Sequence, residues 1–170
     1  MEREKNNQGF TLVELLLYIG VVTIIISGVT GLAFLMLQAR VKTQAMNEIN
    51  YQGEKIVRMI NQTIRNGDAI DSPSKNSFSN SISVDTYDQA NSPTVFNLSG
   101  QRMTVREGTS GEIYLTNNRI IISDLNFQNN GLENAPDSVQ FQFKIDYYNP
   151  EGRSEYNYSK IFYGGASIRE

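Results

Sequence analysis

Between Phe10 and Leu37 the chain reads FTLVELLLYIGVVTIIISGVTGLAFLML, 28 residues in which Glu14 is the one charged side chain. A helix needs about 20 mostly apolar residues to cross a bilayer, so the run is long enough to span one. Seventeen of the 28 are Leu, Ile, Val or Phe. Each favours insertion by roughly 0.3 to 0.6 kcal/mol, against about 3 kcal/mol for one central acid. The segment is therefore expected to insert in spite of Glu14. A secretory signal peptide fits poorly, because its apolar core spans about 7 to 15 residues before a small-residue cleavage site. This run instead ends in FLMLQAR at 34–40. A plain single-pass anchor fits the length but gives Glu14 no purpose, and an ionisable residue inside a membrane is functional by default. The bland reading of Glu14 is a carboxylate at headgroup level that does nothing.

What precedes and opens the run narrows the choice. A short polar leader, MEREKNNQG, ends at Gly9, and Phe10, Thr11, Leu12 and Glu14 follow as G-F-T-L-x-E. Together with the apolar helix, this resembles the N-terminus of a type IV prepilin or pseudopilin. The resemblance implies cleavage after Gly9 by a prepilin peptidase and N-methylation of the Phe10 amine, with the whole apolar helix retained. It further implies that Glu14 pairs with the Phe10 amine of a neighbouring subunit as filament helices bundle. Charges attract strongly in a low dielectric, and breaking a buried pair by removing one partner costs on the order of 3 to 5 kcal/mol. Glu14 would then set the axial register of an incoming subunit, and its loss should harm assembly more than folding.

Two features depart from the family pattern. Arg3 and Lys5 in the leader are offset by Glu2 and Glu4, and Arg40 and Lys42 follow the span. The positive-inside rule therefore does not choose an orientation, and a cytoplasmic leader rests on the resemblance. Many relatives carry a proline in this helix, whereas here Gly20, Gly28 and Gly31 occur. These glycines either let the helix bend or let other helices approach closely.

Beyond Leu37 the helix is expected to continue to Asn66. Val41, Ala45, Ile49, Gly53, Ile56, Ile60 and Ile64 recur at steps of three and four, opposite Lys42, Asn47, Glu54, Arg58 and Arg65. Gly53 on the apolar face either admits a close strand or is simply tolerated. Residues 68–81 read as a Ser/Asn-rich linker. Strand-like runs follow at 81–87, 94–99, 102–107, 112–116, 119–127, 138–148 and 155–163. Val139, Phe141, Phe143, Ile145 and Tyr147 alternate strictly, as in a half-buried strand. The order of elements implies an α+β fold, a long N-terminal helix packed on an antiparallel β-sheet head. The divisions expected are a leader at 1–9, a transmembrane or filament-core helix at 10–37, an amphipathic continuation at 38–66, and linker plus head at 67–170. Tyr147, Tyr148, Tyr156, Tyr158, Phe162 and Tyr163 crowd the last two strands, suiting either a contact surface or ordinary strand pairing.

Composition excludes most chemistry. With no Cys and no His among 170 residues, Ser/His/Asp and Cys/His catalysis and the common zinc sets are absent. A carboxylate pair is the main chemistry left. Asp85, Asp88, Glu107, Glu112, Asp124, Asp137 and Glu151 are scattered, with no EF-hand series, so neither a catalytic residue, a metal site nor a cofactor is assigned. A net charge of −3 does not favour nucleic acid as a partner. No G-x-x-x-x-G-K loop occurs, so energy for assembly would come from elsewhere. The expected role is a structural subunit, a minor pilin or pseudopilin of a pilus-like or type II secretion filament. Its partners would be other pilin subunits, prepilin peptidase, the lipid bilayer, and an inner-membrane assembly platform with a cytoplasmic ATPase. It would sit single-pass in the cytoplasmic membrane with an extracytoplasmic head before entering a filament. The alternative is a membrane-anchored, β-rich binding domain that never assembles.

Overall fold

A computed structural model describes residues 10–132 and 135–169. One helix, α1 (Leu12–Arg65), follows the apolar run and its amphipathic continuation. By internal contacts the chain divides at Arg40/Val41 into an N-terminal unit and a head unit. In the N-terminal unit every described residue is exposed, and the helix includes a stretch long and apolar enough to cross a membrane, with a mean hydropathy of 2.4.

In the head unit the same helix turns one face inward. Ala45, Ile49, Gln52, Gly53, Ile56, Ile60 and Ile64 are buried, at the spacing that puts side chains on one stripe. Val41, expected on that stripe, is only half-buried. After the helix come β1 (Gly67–Ser72), β2 (Phe78–Ser79), β3 (Ile82–Thr86), β4 (Thr94–Ser99), β5 (Arg102–Glu107), β6 (Ile113–Tyr114), β7 (Ile120–Asn129), β8 (Ser138–Tyr147) and β9 (Ser159–Ser167). All pairings are antiparallel, which makes the head the α+β architecture its sequence implies. The strands form two sheets, ordered β1-β3-β4-β5-β6 and β2-β7-β8-β9, where a single sheet was expected. The helical stripe, Ile82, Val84, Phe96 and Met103 from the first sheet, and Ile122, Phe127, Phe141, Phe143 and Phe162 from the second share one core cluster.

Two local expectations are corrected, and one strand departs from simple alternation. The stretch 68–81 is not all linker, because β1 and β2 lie in it or at its edge. In β1 only Gly67 and Ile70 are buried, too few apolar positions to show a period. Its backbone nevertheless pairs with β3, Ile70 opposite Val84. The last strand starts at Ser159 rather than 155, since Ser154–Tyr156 forms a single 3-10 turn that stacks Tyr156 on Tyr147 at 5.2 Å. It then runs through Gly164 and Gly165, poor strand formers, because a Cβ at Gly164 would collide with the Phe141 ring. Finally, β7 changes phase. Ile120 and Ile122 point inward, then Leu125, Phe127 and Asn129 do, with the register shift lying between Ser123 and Asn126. Asp124 takes a φ of 53° there, making the bulge that resets the alternation.

Buried polar groups join the head's parts. Asn129, wholly inaccessible, donates from Nδ2 to Pro73 O (3.1 Å) and Asp137 Oδ1 (3.2 Å) and accepts at Oδ1 from Gly131 N (2.9 Å). Asp137 also accepts from the Ile70 amide at 3.3 Å, linking β1 to the segment before β8. Ile122 N donates to Gln101 O at 2.8 Å, fastening the β4–β5 turn to β7.

Candidate functional site at the helix N-terminus

Thr11 immediately precedes the first helical residue, and its Oγ1 accepts from the Glu14 amide at 3.3 Å. Its carbonyl accepts from the Leu15 amide at 3.1 Å and so begins the helical ladder. The hydroxyl thereby satisfies one of the N–H groups that a helix start leaves without a partner. Thr11 and Glu14 are spaced as in a capping box, T-x-x-E, a signal present in the sequence that reading the motif as a processing signature alone had missed. Glu14 is an exposed acid in the first turn, where a negative charge complements the positive end of the helix. Phe10 is 73% exposed and meets Tyr18 edge to face at 5.9 Å. Phe10 and Glu14 thus flank the cap. Gly9 lies outside the described residues.

The rest of the apolar helix is built for a medium without water. Thr23 Oγ1 donates to Ile19 O (2.7 Å), Ser27 Oγ to Thr23 O (2.8 Å) and Thr30 Oγ1 to Ile26 O (2.8 Å). Each hydroxyl is spent on the preceding turn, as an apolar solvent requires. The helix runs unbroken through Gly20, Gly28 and Gly31, and a Cβ at any of them would meet nothing within 4 Å. At 100° per residue Gly20, Ser27 and Gly31 share one side, a shallow strip on which another helix could lie close.

The scattered acids do not gather. Among the described residues no group of three or more Asp and Glu could hold a metal ion. One pair does form across β1 and β3. Asp71 accepts from Ser83 Oγ at 3.2 Å, and Asp85 accepts from Ser92 Oγ at 3.0 Å. Desolvation and then the neighbouring Asp85 charge hold the Asp71 carboxyl above its ordinary value. Asp71 had not been singled out, since spacing in sequence gives no sign that β1 would lie beside β3. The terminal aromatics divide: Phe162 is buried over Gly53, Tyr147 and Tyr158 edge the core, and Tyr148 and Tyr163 remain exposed.

Compared with known proteins, the chain matches the prokaryotic N-terminal methylation motif over residues 5–30. Nothing among curated proteins or solved structures matches it. Beyond residues 5–9, which lie outside the described residues, the match covers the capped helix start and about three-quarters of the apolar run. This N-terminus is thus similar to that of type IV prepilins and pseudopilins, and the match supports that family.

Proposed function

We propose that the chain is a minor pilin or pseudopilin, a non-catalytic structural subunit that is cut after Gly9, N-methylated on Phe10 and assembled through its N-terminal helix. The observation that carries this is Glu14, the one charged residue of the apolar helical run that ends at Leu37, whose residues from 12 to 37 are all exposed in the isolated chain. A surface of that kind needs a lipid bilayer first and other helices afterwards. Cleavage leaves a positive amine at Phe10, one turn from the carboxylate, where the helix's own positive end disfavours it. An acid supplied by a neighbouring subunit would offset that penalty, and the reciprocal pair repeats along a filament. The strip of Gly20, Ser27 and Gly31 adds a place for close helix packing. In this reading the subunit waits single-pass in the cytoplasmic membrane with its head outside. An assembly platform driven by a separate cytoplasmic ATPase then extracts it.

The test has two steps. Intact-mass and N-terminal peptide spectrometry on protein from native membranes should find a chain beginning at methylated Phe10. Glu14→Ala should then be processed normally, accumulate in the membrane and be depleted from sheared filaments. A chain retaining its leader in a host with active peptidase would favour the anchored, non-assembling domain. Equal incorporation of Glu14→Ala would remove the role given to the acid.

A further inference from the structure

The outward face of the four-stranded sheet carries a cleft of about 550 Å³ that the filament reading does not use. Its lining follows from two neighbouring rungs of the register. On one rung Asn126 faces Gln142, and Gln142 faces Tyr163. On the next, Phe78 faces Gln128, Gln128 faces Gln140, and Gln140 faces Gly165. Residues two apart along a strand share a face, so four amides lie side by side between two aromatic rings. The bulge at Asp124 is what turns Asn126 and Gln128 to this side. Gly165 brings no side chain to the rung of Gln140, which leaves the floor open.

We propose that this cleft binds a neutral oligosaccharide. Each carboxamide offers two donors and one two-lone-pair acceptor, the mixed pattern that a row of sugar hydroxyls presents in return. Among the described residues, no side-chain hydrogen bond engages Gln128, Gln140 or Gln142, and the shielded Oδ1 of Asn126 has no partner. Phe78 and Tyr163 are 63% and 68% exposed, large rings at the two ends of the amide row where the apolar faces of pyranose rings can stack. No Asp, Glu, Lys or Arg lines the cleft. The next outward side chains along β8, Lys144 and Asp146, neutralise each other in an ion pair of 3.0 Å. Nucleic acid and other polyanions lack the cationic contacts they depend on here. A pocket with a few convergent polar groups and aromatic walls is the usual form of a small-ligand site.

The proposal goes beyond the filament reading and stands without it, because binding is measured on the unassembled subunit. Full-length protein in lipid nanodiscs would be titrated with maltohexaose, cellohexaose, chitohexaose and sialyllactose. At least one neutral oligosaccharide should bind, with affinity unaffected by salt. Tyr163→Ala and Gln142→Ala, both exposed positions, should each weaken that binding about tenfold, the equivalent of about 1.4 kcal/mol, while melting at the wild-type temperature. Binding of sialyllactose alone, no binding of any probe, or unchanged affinity in both variants would overturn the assignment.

Discussion

Gly53 shows how one missing side chain sets the distance between helix and sheet. The Phe162 ring occupies the space where a Cβ would stand, and it continues a row of core rings through Phe143, 5.6 Å away, and Phe141, 6.4 Å further on. Helix propensity alone would make Gly53→Ala stabilising by about 1 kcal/mol. Overpacking against a buried ring costs typically about 1–3 kcal/mol, so the net effect should be destabilising. Urea unfolding of Gly53→Ala should show a lower midpoint, and Gly53→Ala combined with Phe162→Leu should recover part of the loss. Asp71 offers a second residue-level test, with the sign fixed by linkage. Its carboxyl is held above the ordinary value of 3.8 by desolvation and by Asp85. The folded state therefore binds the proton more tightly than the unfolded chain does. Stability falls as pH rises from the unfolded pKa through the raised folded one, and the penalty is fully present above both. Asp71→Asn should consequently melt higher than wild type at neutral pH, and the gain should vanish near pH 3, below the unfolded value of about 3.9.

Elements were legible where local chemistry and tertiary packing agree. The amphipathic stripe from Ala45 to Ile64 is buried as its spacing implies, since a helix face has a single way to meet a core. Strands β4 and β5 have the bounds 94–99 and 102–107 that the sequence implied, and Gly100 and Gln101 take φ values of 55° and 65° in the two-residue turn between them. What escaped reading depends on contacts distant in sequence. The pairing of β1 with β3, the split into two sheets and the run of β9 through Gly164-Gly165 are set by partners rather than by composition. The cap at Thr11 was legible and overlooked, whereas the phase change in β7 had no local sign beyond an Asp inside an apolar strand. That Asp makes a prediction of its own. A non-glycine residue in the left-handed region costs about 1–2 kcal/mol, and Asp bears it better than a β-branched residue. Asp124→Gly should keep or raise the melting temperature, and Asp124→Val should lower it. If both variants melt like wild type, the bulge is not what holds β7 in two phases.

At the scale of the whole chain, the two units face different solvents. Every buried residue among those described lies at Ala45 or beyond, while the apolar side chains from Phe10 to Leu37 are all exposed. The hydrophobic effect acts on both sets, but the head satisfies it internally and the N-terminal helix needs a bilayer or other helices. Folding of the head should therefore be independent of the span. A fragment beginning at Val41 retains the whole core cluster, the Asn129–Asp137 network and both sheets. It should be soluble without detergent and unfold in urea with the midpoint of the full-length protein in micelles. The denaturant slope should also match, because that slope follows the surface exposed on unfolding and the span contributes little to it. A fragment that unfolds at markedly lower urea would mean that residues before Val41 stabilise the head directly. Equal midpoints would separate the two tasks cleanly: Glu14 variants could then be read as changes in assembly, and Tyr163 or Gln142 variants as changes at the head's surface.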